Sequence, residues 1–235
     1  DRLNSLINQR GGLSISGKIE LANLIGTFDN KDISTAIPCI SLVKAASSYD
    51  EGEKNMDIKL DGYAIFHDDK LIGYILGNDA RGFNWIRGEV RSGVIVVNDN
   101  YGETVSLEIT GSKVNMVPVI EGDKLEIYVN MTMTSNLGET LGRKDIFNEK
   151  SFNFMESQQE AIIKSEVEKT IAYAQQNNSD FLQASEAIKH KYPAKWEKIK
   201  NNWGNLFPDI KFYVNVKSNI NRTYDIERPT GGDNQ

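Results

Sequence analysis

One segment constrains the fold more than any other: residues 124–134 alternate between apolar and polar side chains without a break. The apolar positions are Leu125, Ile127, Val129, Met131 and Met133. Because successive side chains of a β-strand point to opposite faces, this pattern predicts a strand with one buried and one wet face. Such a strand is typical of an antiparallel sheet that is covered on one side only.

The neighbours of this strand predict the rest of the sheet. Residues 104–110 and 112–120 are expected to form two preceding strands, with turns at Gly111 and at residues 121–123. Residues 211–220 alternate again and predict a final strand. Between the third strand and the last lies a long polar and apolar stretch with helical rather than period-two spacing.

That stretch predicts three helices. The first spans about residues 154–176 and carries an apolar stripe at spacings of four, four and three. Ser179 is expected to cap the second helix, with Asp180 in its first turn, and Pro193 to begin the third. The stripe consists of Ile163, Val167, Ile171 and Ala174. The expected class is therefore α+β: an antiparallel β-sheet with helices packed on one face, in the order β-β-β-α-α-α-β, preceded by a smaller α/β domain.

The smaller domain is indicated by a β-hairpin. Residues 60–67 and 70–76 read as two strands joined by the two-residue turn at Asp68 and Asp69. A turn is predicted at residues 78–82, followed by a short helical segment at 83–86.

Three regions follow from these patterns. We expect an N-terminal α+β domain over residues 1–100, with helices in residues 1–34, and a C-terminal α+β domain over residues 101–228. Residues 229–235 are expected to be a disordered tail. The boundary is placed at the turn-forming run of residues 98–102.

Composition excludes several classes of function. Lys plus Arg is 27 and Asp plus Glu is 33 in 235 residues, a net charge of −6, which argues against a nucleic-acid-binding protein. A single cysteine, Cys39, and two histidines distant in sequence, His67 and His190, provide no metal-ligand pattern. Phosphate-binding glycine motifs are also absent from the sequence. From these two observations we expect neither a metal nor a cofactor.

One short motif resembles an active site. Residues 41–44 match the S-x-x-K pattern of serine acyl enzymes, in which the lysine lies one helical turn from the serine. Because the segment follows Pro38 and is expected to be extended, Ser41 and Lys44 would point to opposite faces of a strand. Acyl-enzyme chemistry at Ser41 is therefore a weak hypothesis. No catalytic residue is predicted.

The chain carries an ordered set of motifs from a known family. Tyr192-Pro193-Ala194-Lys195-Trp196 precedes Asn202-Trp203, and Phe212-Tyr213-Val214-Asn215-Val216 forms the last strand. Upstream lie Leu60 to Phe66, Lys70 to Tyr74 and Ala80-Arg81-Gly82-Phe83-Asn84-Trp85. Over about residues 36–226, this resembles the C subunits of spore germinant receptors, the GerAC-like lipoproteins. The structural signature residues are Gly62, Phe66, Gly73, Arg81, Gly82, Asp180, Pro193, Trp196 and Trp203.

The resemblance implies a non-enzymatic protein that acts in receptor assembly or signal relay during nutrient-triggered germination. It implies two integral-membrane partners, the A and B subunits, and a place on the outer face of the spore's inner membrane. The tether would be an N-terminal lipid anchor outside this sequence, and Cys39 does not lie in the context of such an anchor. The alternative hypothesis is a cell-surface module that binds a small ligand or a glycan in a pocket lined by aromatic side chains.

Overall fold

The computed structural model describes residues 24–26, 34–44, 56–122, 124–140 and 146–221. Residues 24–26 are helical. The remaining helical prediction for residues 1–34 and the predicted tail at 229–235 lie outside the described residues. The domain bounds at 100 and 228 stay predictions.

The first sheet has three antiparallel strands in the order β1-β2-β3. They are β1 (Thr35–Lys44), β2 (Met56–His67) and β3 (Lys70–Leu76). The turn between β2 and β3 lies at Asp68 and Asp69, as the sequence predicted, and Asp68 adopts a left-handed φ of 50°. Aspartate tolerates that conformation better than most residues, which explains why no glycine is needed.

Helix α1 (Gly77–Ile86) follows β3 directly, so the turn predicted at residues 78–82 is wrong. Asn, Asp and Gly are typical turn residues, and the sequence alone favours a turn here. In the structure Ala80 and Phe83 lie one helical turn apart and are both fully buried. Burial of this face stabilises the helix by more than the unfavourable intrinsic helix propensities of its residues cost.

The second sheet has four strands in the order β4-β5-β6-β7. They are β4 (Gly93–Asn98), β5 (Thr104–Glu121), β6 (Lys124–Thr140) and β7 (Lys211–Asn221). The turn predicted at Gly111 is wrong: β5 is continuous and only shifts register against β6 between Ile109 and Gly111. A glycine inside a strand often marks such an irregularity in strand pairing and does not require a turn.

Strands β4, β5 and β6 pair antiparallel, and the predicted antiparallel sheet is confirmed for them. Strand β7 joins β6 in parallel. The chain leaves the end of β6, passes through the helices and returns to the start of β6, and this long crossover allows parallel pairing.

Among the described residues between β6 and β7 there are four helices, one more than predicted. They are α2 (Glu149–Gln176), α3 (Ala184–Lys191), α4 (Pro193–Ile199) and α5 (Trp203–Leu206), with 3-10 turns at Lys200–Asn202 and Phe207–Asp209. Helix α3 begins later than predicted, because Gln183 adopts a left-handed φ of 62° immediately before it. The predicted stripe of α2 is buried throughout. The molecule is therefore α+β, with helices packed on the sheets.

Helix α2 contacts both parts of the fold, packing against α1 on one side and β7 on the other. Its side chains therefore hold the two sheets in one arrangement. None of the helices in the described ranges is long and apolar enough to cross a membrane.

Candidate functional site

The signature residues fall into two groups in the structure. Gly62, Gly73, Arg81 and Gly82 lie where the first sheet and α1 meet α2. We call this contact the junction, formed by Arg81, Gly82, Trp85, Glu166 and Thr170. Asp180, Pro193, Trp196 and Trp203 lie under or within helices α3 to α5.

An ion pair lies at the centre of the junction. Arg81 Nε donates a hydrogen bond to Glu166 Oε2 at 2.9 Å, and Arg81 Nη2 contacts Glu166 Oε1. The Trp85 indole Nε1 donates to Glu166 Oε2 at 3.0 Å. Glu166 is only 5% exposed, so its charge depends on these donors rather than on water. A bidentate arginine also fixes the orientation of α1 against α2.

Sequence reasoning did not find Glu166. It lies 85 residues from Arg81, and no local pattern joins the two. A signal was nevertheless present, because Glu166 falls on the same helical face as Ile163, Val167 and Thr170. A glutamate on a buried helical stripe is rare unless it is paired.

Glycine at position 82 permits the close approach of α1 and α2. A Cβ at Gly82 would collide with Thr170 Oγ1 and with the backbone carbonyl of Glu166. Gly62 in β2 has a φ of +118° and would collide with the Ile75 carbonyl, while Gly73 faces the Tyr173 hydroxyl. Phe66 is half-buried beside an irregularity in the β2–β3 pairing.

Asp180 is buried and lies four residues before the first residue of α3. Its Oδ1 accepts from Ala184 N and its Oδ2 from Ser185 N, both at 2.8 Å. Burial raises the pKa of Asp180 to about 7, although these donors and the neighbouring Trp203 indole act in the opposite direction. Its carboxyl group therefore stabilises the first turn of a helix that begins four residues later.

A cavity of about 190 Å³ opens beside Asp180. Within it, Ser34 Oγ lies 3.1 Å from His67 Nδ1, within hydrogen-bond distance. The sequence offered no nucleophile near His67, and Ser34 was missed because 33 residues separate the two. The lining residues are Ser34, His67, Asn178, Asp180, Lys200, Trp203, Gly204 and Phe207.

Serine, histidine and aspartate around one cavity invite comparison with a catalytic triad. In a triad the carboxylate orients the histidine, and the serine oxygen is open to substrate. Here the Asp180 oxygens accept from the backbone of α3, and Ser34 is only 3% exposed. The arrangement is that of polar groups at a structural contact, in which Ser34 and Asp180 are buried and His67 is exposed.

Two tryptophans of the signature lie in the core. Trp196 is 2% and Trp203 6% exposed, and their ring centroids are 5.3 Å apart in an edge-to-face arrangement. Phe207 continues the contact at 5.5 Å from Trp203. Pro193 is at the first position of α4, where its missing N–H is not needed.

Ser41 lies in β1 and not on a helix. In a strand, side chains three positions apart point to opposite faces. Ser41 therefore has no helical neighbour at position 44, and the S-x-x-K geometry is not formed.

Comparison with known proteins identifies the family. The family model described as "Spore germination B3/ GerAC like, C-terminal" matches residues 61–224. The chain belongs to this family, whose members resemble the C subunits of germinant receptors.

Individual relatives agree with this assignment. Spore germination protein YndF of Bacillus subtilis (strain 168) is 26% identical over 220 residues, covering 87% of this chain and 54% of that protein. Spore germination protein B3 of the same organism is 25% identical over 169 residues, covering 69% and 44%. The chain thus spans about half the length of the curated relatives it matches. The crystal structure of the GerBC protein shares the fold, with a TM-score of 0.73 at 21% identity over 88% of this chain and 65% of that one.

Proposed function

We propose that this chain is part of the C subunit of a nutrient germinant receptor, and that it acts in receptor assembly or signal relay without catalysing a reaction. The observation that carries the proposal is the family match over residues 61–224. The proposal includes a lipid anchor, a place on the outer face of the spore's inner membrane, and integral-membrane A and B subunits as partners.

The geometry supports a mechanical role. Residues of the family signature, including Arg81, Gly82 and Asp180, lie where elements of the fold meet. A rigid contact between two sheets suits a protein that holds partners in a fixed arrangement or passes a change of position from one to another.

The test is germination of spores that lack the gene. Loss of refractility is followed after a nutrient stimulus and, separately, after calcium dipicolinate, which bypasses the receptors. We expect loss of the nutrient response with the dipicolinate response intact. Normal germination with every nutrient, in a strain without related receptor genes, would contradict the proposal.

The second candidate function is the binding of a small polar ligand in the cavity beside Asp180. Ligand pockets usually measure about 300–1,000 Å³ and are mostly apolar. This cavity measures about 190 Å³. The receptor role is therefore the better supported, and saturable binding of a sugar or an amino acid by the chain, abolished by Lys200→Glu, would favour the second.

A further inference from the structure

A larger groove lies beside the helical layer, outside the junction. It runs between the tip of the β5–β6 hairpin, α4 and the segment before β7, and its volume is about 600 Å³. We call it the lysine groove. Its apolar lining consists of Ile120, Leu125, Ile199, Leu206 and Ile210.

Lysines surround this apolar lining. Lys195, Lys198 and Lys211 are exposed, and among the residues that the structure describes they have no ion-pair partner. A fourth, Lys124, pairs with Glu126 at 2.6 Å. Glu126 also accepts from Tyr213 Oη at 3.1 Å, so its charge is already satisfied. With the acidic Asp209 counted, the unpaired groups among the described residues that line the groove carry a net charge of 3 − 1 = +2.

The positive groove stands out on this chain, whose net charge is −6. Apolar side chains inside a cleft together with unpaired cations at its rim fit a ligand with the opposite arrangement of apolar and charged groups. A membrane surface is a poor fit, because proteins that bind to it insert apolar side chains that protrude, whereas these lie inside a concavity.

We propose that the lysine groove binds an acidic amphipathic segment of a partner protein, with apolar side chains in the cleft and carboxylates beside Lys195, Lys198 and Lys211. The occupant is a peptide segment in which leucine-like and acidic residues recur, in the manner of helix-in-groove recognition. The inference goes beyond the proposed function and does not depend on it, since it concerns the charge and shape of one surface.

The experiment measures binding of a dye-labelled peptide to the 235-residue chain by fluorescence anisotropy. The probe is an acetylated peptide of about twelve residues that alternates pairs of leucine with pairs of glutamate, and the matched control carries lysine in place of glutamate. We expect saturable binding of the acidic peptide alone, weakened by added salt because exposed charges are screened.

Two double variants locate the site. Lys195→Glu with Lys198→Glu should weaken binding of the acidic peptide by about tenfold or more, because attraction becomes repulsion at the rim. Lys150→Glu with Lys169→Glu, on exposed positions of α2 outside the groove, changes the net charge equally and should have a much smaller effect. Since all four lysines are exposed, the variants should fold, and circular dichroism checks this.

Three results would overturn the proposal. One is an absence of binding, another is binding that both double variants weaken equally, and the third is binding insensitive to salt. In a separate arm the chain is sedimented with phosphatidylglycerol vesicles. Sedimentation that needs Lys195 and Lys198, without peptide binding, would assign the groove to a membrane surface instead.

Discussion

Asp180 combines a structural role with an unusual ionisation. Its carboxyl group accepts from two backbone N–H groups of α3, yet burial raises its pKa to about 7. In the unfolded chain the pKa is about 3.9, so the folded state holds the proton more tightly. The contribution of Asp180 to stability is therefore fully present below the unfolded pKa and is lost as the pH rises through the folded pKa.

We expect the free energy of unfolding to fall by about 2 to 3 kcal/mol between pH 5 and pH 7.5 through Asp180. Asp180→Asn should remove most of this dependence, because the amide does not ionise. Its mismatched N–H adds a cost that is the same at every pH. Urea unfolding at both pH values measures the change, with Asp69→Asn in the exposed hairpin turn as control. An equal pH dependence in both variants would contradict the assignment.

A second prediction at the residue scale concerns Gly82. Alanine normally stabilises a helix relative to glycine by about 0.5–1 kcal/mol. At position 82 a Cβ would collide with the backbone of α2, so we expect Gly82→Ala to destabilise the chain by about 1 to 3 kcal/mol. Gly111→Ala is the control, since a Cβ there meets nothing within 4 Å. Equal thermal midpoints for the two variants would show that α1 and α2 can move apart.

At the scale of the elements, a buried ion pair joins α1 to α2. Removing one partner of a buried pair leaves an uncompensated charge and costs about 3–5 kcal/mol. We therefore expect Arg81→Ala to destabilise strongly, because Glu166 would keep only the Trp85 donor among those described here. Lys164→Ala, on the exposed side of the same helix, should change stability by less than about 0.5 kcal/mol.

The free energies of unfolding of the unaltered chain, Arg81→Ala and Lys164→Ala are measured by chemical unfolding. The double variant Arg81→Ala with Glu166→Ala should be more stable than Arg81→Ala alone, because no unpaired charge remains. If the double variant instead lost the sum of both single effects, the unpaired charge would not be the cause.

Helices α4 and α5 pack against each other through their tryptophans. Trp203 is buried between Trp196 and Phe207, so truncation leaves a large cavity. We expect Trp203→Ala to lower the free energy of unfolding by about 3 to 5 kcal/mol. The exposed Tyr101→Ala is a control for loss of an aromatic ring. An unchanged melting temperature in Trp203→Ala would favour an exposed binding role for that ring.

The sequence predicted elements better than their partners. The β2–β3 hairpin, strand β6 and helix α2 were found because each carries its own period of apolar residues over many positions. The first part of helix α1 was missed and only residues 83–86 were predicted as helical, since packing of the buried helix face, including Phe83, outweighs the turn-like residues. The parallel pairing of β7 was also missed, because alternation shows that a segment is a strand and not beside which strand it lies. Arg81 was found through the family resemblance, whereas Glu166 and Ser34 are defined only by contacts across long sequence separations.

At the scale of the whole molecule, the junction determines whether the two sheets behave as one unit. The first sheet has three strands among the described residues, and small sheets need packing against a helix for stability. That packing comes from α1 and α2, and α2 also covers the second sheet through Gln159, whose amide donates to Ser135 Oγ at 2.7 Å. We therefore expect the first sheet to be stable only while α2 is packed on the second sheet.

This arrangement predicts one cooperative unfolding transition for both sheets. Amide hydrogen exchange under native conditions should give the most protected amides of β2 and β6 the same free energy of opening, because neither sheet opens fully without the other. In Gly82→Ala, which disturbs the junction alone, protection in β2 should fall further than protection in β6. In Val129→Ala, which removes buried side-chain atoms from β6, both should fall together, because the first sheet depends on the second. If β2 already exchanges much faster than β6 in the unaltered chain, the sheets are independent units, and the mechanical coupling proposed for this protein has no structural basis.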